Sequence, residues 1–147
     1  MPKCGTWTAR DTWLSDEYGS YFAEFEEWLE DKMAVMQPDI LAFESPLLLQ
    51  RHKGRGTDEQ QVRRLVGVVS IAEKVAYQRK RRCEEVNVQV AKSFFDIPGR
   101  RPEGMSKNEY KDLMLNVMTQ RGFACADNHQ GDACSIALVV YDMLGET

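Results

Sequence analysis

Four consecutive apolar residues, Ile40-Leu41-Ala42-Phe43, are closed by Glu44-Ser45-Pro46 and lie between two helical patterns. So short a run, bounded by turn residues, suits a strand covered on both faces. Covering both faces takes helices on either side, which points to an α/β fold. Upstream, Phe22, Phe25, Leu29, Met33 and Met36 recur at spacings of three and four. They make one apolar face of a helix over about Tyr18 to Met36, with Glu24, Glu26, Glu27 and Glu30 mostly on the wet side. Pro38 stops it.

Downstream, Thr57-Asp58-Glu59-Gln60 is a capping box. It opens a long helix with Val62, Leu65, Val66, Val69 and Ala76 on one face and Arg79-Lys80-Arg81-Arg82 at its end, where cations complement the helix dipole. Val86, Val88 and Val90 alternate with Asn87 and Gln89, which predicts a half-buried strand. Ser106-Lys107-Asn108-Glu109 is a second capping box, followed by Tyr110, Leu113, Met114, Val117 and Met118 as an inward face and by Gly122 as the stop. A last helix begins near Asp127 or Asn128, with Ala133, Ile136, Ala137 and Val140 on its core side. Gly5-Thr6-Trp7-Thr8-Ala9 predicts a short strand at the N-terminus. The order is strand, helix, strand, helix, strand, helix, helix, and no linker or repeat divides it. The expectation is one α/β domain over residues 1–147.

Charge narrows the possible partners. Residues 47–121 carry 16 Lys and Arg against 9 Asp and Glu, whereas residues 1–46 carry 3 against 10. A basic middle can bind a polyanion although the net charge is -4, because the local field governs contact within a Debye length of about 8–10 Å. The competing explanation is solvated helix faces. No stretch approaches the roughly 18 apolar residues of a membrane span, and Met1-Pro2-Lys3-Cys4 is no secretory signal. The expectation is a cytoplasmic protein with no membrane partner and with Cys4, Cys83, Cys125 and Cys134 as reduced thiols. Cys125, His129 and Cys134 offer only three zinc ligands at irregular spacing, so zinc is not expected.

Two carboxylates stand out by position. Glu44 ends a strand that should be buried, and in open α/β sheets ligands collect at the carboxyl ends of strands. A charge there is costly unless paired or bound to a cation; the simpler alternative is that Glu44 reaches solvent. Asp132 lies in Asp127-Asn128-His129-Gln130-Gly131-Asp132-Ala133, in the first turns of an otherwise apolar helix. His129, three residues earlier, shares its face. Asp127 either caps the helix or adds an oxygen. Such ligands suit Mg²⁺ or Mn²⁺, and ions of that kind bridging a phosphodiester would activate water and stabilise the leaving oxygen. Phosphate loops, G-x-S-x-G and H-E-x-x-H are absent from the sequence.

These segments together resemble the RuvC-like crossover junction endodeoxyribonucleases of the ribonuclease-H-like superfamily. The resemblance is carried by Asp39 to Pro46, Val66-Gly67-Val68-Val69, the stretch Glu85 to Val90 leading to Lys92, and Asp127 to Ala137, with Gly5-Thr6-Trp7 and Phe22 to Leu29 similar to the phage and prophage members. It spans roughly residues 5 to 143. It implies a mixed sheet flanked by helices and a homodimer that cuts branched DNA (a Holliday junction resolvase), each subunit using acidic residues and two Mg²⁺ ions. Glu44 and Asp132 would then be catalytic metal ligands and His129 the variable ligand beside them. Asp127 is a further metal candidate, and the long helix would carry dimer contacts. Arg51, Lys53, Arg55, Lys92, Arg100, Arg101 and Lys107 would be phosphate contacts.

The chain departs from the family in one respect. The family opens with an apolar strand bearing the first catalytic aspartate, and nothing here matches it; Asp11 follows what looks like the third strand. Either translation starts further upstream, or the chain is a truncated relative, or the strand register is misread; the first two are favoured. Little or no nuclease activity is therefore expected from these residues alone, and the exposed edge of Ile40 to Phe43 is expected to pair with Gly5 to Ala9 or with another subunit. The alternative is a non-catalytic nucleic-acid-binding or protein-interaction module on the same fold. A third reading is an acidic helical adaptor that docks through Trp13 and Trp28.

Overall fold

A computed structural model describes Trp7, residues 18–46 and residues 59–145. Its elements are α1 (Tyr18–Met36), β1 (Ile40–Glu44), α2 (Glu59–Gln78), β2 (Arg82–Val86), α3 (Val88–Phe94), α4 (Lys107–Gln120) and α5 (Asn128–Gly145). The two strands pair in parallel, so the fold is mixed α/β and mostly helical, with one small sheet among the described residues. β1 is half-buried along its whole length rather than fully covered. Apart from Trp7, the expected strand Gly5 to Ala9 lies outside the described residues, and so does its pairing with β1. No helix among the described residues is long and apolar enough to cross a membrane.

The chain divides into two compact units. The first of these in chain order contains α1 and α2. Phe22 faces Gly67, Glu26 pairs with Lys74 at 2.5 Å, and Glu30 accepts from Arg79 Nε at 2.6 Å. Partner numbers rise together, so the two helices run in the same direction, as β1 between them in the chain requires. Gly67 makes room for the Phe22 ring: a Cβ there would overlap the far end of the ring, which would have to swing aside. Leu29, Met33, Ala72, Val75 and Ala76 are buried, whereas Leu65 and Val66 are 39% and 41% exposed. The inward face of α2 is thus shifted from the predicted one. It is set by the small residues that let α1 approach.

The basic cluster after α2 is largely matched to acids of the same unit. Arg79 pairs with Glu30, Arg81 lies 3.7 Å from Asp39, and Arg82 pairs with Glu84. Trp28 packs with Trp7 and Phe25, at centroid separations of 6.3 and 5.9 Å, and is half-buried. That leaves it poorly placed as a docking residue; Trp13 lies outside the described residues.

The second unit holds residues 42–45 and 85–145 of the described chain. Here one expected strand is corrected. Val86 ends β2, and the Asn87 side chain accepts from Gln89 N at 2.8 Å, capping α3. Val88 and Val90 are helical. An N-cap asparagine satisfies backbone donors that the alternating valines alone would have sent to a ladder. In α4, Ser106 and Glu109 form the reciprocal capping box read in the sequence. Gly122 (φ 88°) ends the helix, with Phe123 N bonding back to Met118 O at 3.1 Å. α5 packs on α4 and α3. It buries Gly131, Cys134, Ser135, Ile136, Val139 and Val140 against a core that includes Met114 and Met118, while Ala133 and Ala137 face outward.

Candidate carboxylate site

Glu44 leaves the sheet at the carboxyl end of β1, where Ser45 N donates to Val86 O at 2.9 Å. That bond carries the chain past the last strand pair and leaves the Glu44 side chain half-buried. The capping turn at Asn87 then starts α3, which presents Val88 and, one turn later, Lys92. From the far end of the sequence, α5 supplies Asp132 from its second turn. Gly131 makes this possible. A Cβ on it would stand 3.1 Å from Leu115 Cα, so α4 and α5 meet at backbone distance beside Asp132.

Burial pushes the Glu44 carboxyl above its ordinary value of 4.5, and the charge of Asp132 pushes it further; Lys92 and His129 partly offset this. The Asp132 carboxyl is also raised by burial, and His129 and then Lys92 pull it back. The repulsion acts on the pair, so the proton it favours belongs to the two acids together. Two carboxylates separated by 88 residues in the chain therefore share one electrostatic site with a lysine and a histidine. Among the described residues neither acid has an ion pair within 4 Å or a side-chain hydrogen bond.

A cleft of about 220 Å³ opens next to Asp132. Its polar wall is Lys92, Tyr110, Lys111, Asn128, His129 and Asp132, over the apolar residues Val88, Ile97 and Met114. Lys92 Nζ donates to Tyr110 Oη at 3.0 Å, and Tyr110 Oη donates to Pro98 O at 2.6 Å.

Other expected site residues fall elsewhere. Asp127 caps α5, accepting from Gln130 N at 2.9 Å. Arg100, Arg101 and Lys107 are exposed, the first two in the 98–104 loop and the third at the start of α4. Arg51, Lys53 and Arg55 lie outside the described residues. Nothing in the sequence singles out Tyr110, Lys111 or Asn128 for the site: Tyr110 follows a capping box at helical spacing and so reads as core. The available signal was its hydroxyl, since a tyrosine on an inward face still needs a partner for its O–H.

Among the described residues no three His, Cys, Asp or Glu side chains stand close enough together to hold a metal ion. The Cys125 and Cys134 sulfurs stand 3.6 Å apart. Mg²⁺ needs no such group, because it binds through one or two carboxylates and keeps several waters. The Glu44–Asp132 pair fits such an ion: its donors are hard oxygens, both are partly desolvated, and a divalent charge would relieve their repulsion. Compared with family models and with curated proteins, the chain matches none.

Proposed function

We propose that this chain is a metal-dependent nuclease-like protein acting on branched DNA, with weak or no cleavage activity of its own. One observation carries this reading. Glu44 and Asp132, 88 residues apart in the chain, share a half-buried site beside a cationic cleft at the carboxyl end of β1. In the plain chemistry of such a site, the carboxylates hold a hard cation and the lysines bind phosphate. Glu44 and Asp132 would hold Mg²⁺ or Mn²⁺, which when bound polarises water and neutralises phosphate charge. Lys92 and Lys111 would take phosphate oxygens, and exposed His129 would lie at the rim. Asp127 is left out of this set because its side chain is engaged as a helix cap. Two carboxylates are fewer than a two-ion site uses, hence the low expected rate.

A second reading, a nucleic-acid-binding module without catalysis, is favoured by the lack of a three-ligand group among the described residues. Gel-shift and cleavage assays on a four-way DNA junction with and without Mg²⁺ separate the two. Both readings expect junction binding that weakens steeply with salt. Only the first expects Glu44→Gln and Asp132→Asn to abolish a Mg²⁺-dependent component. No binding by the wild type sinks both.

A homodimer fits the same reading. Leu65 and Val66 on α2 are large apolar side chains left about two-fifths exposed, and Val66 lines a cleft with Val62 and Phe22. Sedimentation of Val66→Glu against wild type tests it; identical mass distributions would reject the α2 face.

A further inference from the structure

The Lys92 ammonium is close enough to Glu44 and Asp132 for both carboxyls to feel its charge, yet it bonds to neither. It donates instead to a neutral phenol, Tyr110 Oη, at 3.0 Å in a part-buried setting. The same Oη spends its own proton on Pro98 O at 2.6 Å. The phenol thus accepts on one side and donates on the other, which fixes its orientation. The Lys92 Nζ also lies 4.8 Å from the Tyr110 ring centroid, so the ring restrains the same head group.

A lysine head on a flexible four-carbon stem would otherwise swing onto the nearest carboxylate. There it would take the oxygen lone pairs that a cation needs, and it would no longer face the cleft. Pro98 opens the loop that carries Arg100 and Arg101. We infer that Tyr110 is a positioning residue: its hydroxyl holds the Lys92 ammonium beside the carboxylate pair without letting it pair with them, and ties it to the arginine loop. The arrangement itself is independent of the proposed function; its consequence for metal and DNA rests on that reading.

The test uses Tyr110→Phe, which keeps the ring and removes only the hydroxyl, together with Lys92→Met and the double variant in the full chain. Proton–nitrogen NMR of the lysine ammonium groups reads the arrangement directly. Lys92 is expected to give a slowly exchanging signal in the wild type, lost in Tyr110→Phe. An unchanged Lys92 signal overturns the inference. Mn²⁺ titration reads the consequence. Tyr110→Phe is expected to weaken Mn²⁺ binding about tenfold, the scale of a lost hydrogen bond to a charged group, and to have no further effect in the Lys92→Met background. A loss that persists in that background means Tyr110 acts structurally, and the inference fails. If the wild type binds no Mn²⁺, the metal reading falls while the Lys92 signal still decides the positioning claim.

Discussion

Replacing Gly131 by alanine sets two effects of known size against each other. Alanine is favoured over glycine inside a helix by about 0.8–1.0 kcal/mol, and Gly131 lies in α5 one turn from its start, where the gain is smaller. Against this, the new Cβ would stand 3.1 Å from Leu115 Cα and 3.3 Å from Leu115 N. Comfortable carbon contacts begin near about 3.5 Å. The obstructing atoms are backbone, so no side chain can rotate away. The α4 helix must retreat by a few tenths of an ångström, loosening Met114 and Met118. Overpacking of this kind costs about 1–3 kcal/mol. The expected net effect is a loss of roughly 1 kcal/mol, or about 3 °C in Tm for a chain of this size. Thermal and urea unfolding followed by circular dichroism measure it. A rise in Tm of the size helix propensity alone would give refutes the close α4–α5 approach, and with it the account of how Asp132 is placed.

Three further outcomes follow from particular residues. Because the Glu44 and Asp132 carboxyls are raised, the stability they contribute is complete below their ordinary pKa and is lost as pH rises through the folded-state values. Glu44→Gln is therefore expected to raise Tm of the metal-free protein at pH 7 and to leave it unchanged in acid; a lower Tm at pH 7 would contradict the repulsion. Lys80 holds φ at 54° after α2, a left-handed geometry that favours glycine, so Lys80→Gly should stabilise by about 1 kcal/mol in urea titrations, and a destabilisation would argue against that turn. Replacing Arg51, Lys53 and Arg55 together should flatten the logarithmic salt dependence of junction binding by about 2–3 units, at roughly 0.9 per phosphate contact on duplex DNA; an unchanged slope moves the DNA face elsewhere.

Local signals with a single physical meaning were readable from the sequence. Pro38 ended α1 within two residues, the Ser106–Glu109 box opened α4, and Gly122 closed it. The half-burial of Glu44 and Asp132 was readable for the same reason, since one ends an apolar strand and the other sits on an apolar helix. Signals with two meanings were not readable. Alternation of Val86, Val88 and Val90 fits a strand, but Asn87 caps a helix, and the cap prevails. Leu65 and Val66 fit a helical stripe, yet the inward face of α2 is set by how closely Phe22 approaches Gly67, a tertiary fact. Among the described residues, the positive-φ turns at Gln37 and Lys80 fall on residue types that do not announce such a turn. The Lys92–Tyr110 bond joins residues 18 apart and depends on how α3 and α4 pack.

The claim on which the functional account depends is that the side chains of residues 44 and 132 hold one divalent cation together. Calorimetric titration of Mn²⁺ into the purified chain at neutral pH, repeated with Glu44→Gln and with Asp132→Asn, tests it most directly. The account predicts a saturable site in the wild type that either substitution weakens at least about tenfold, the scale of a lost charged contact. Equal binding by all three proteins, or none by any, would contradict it.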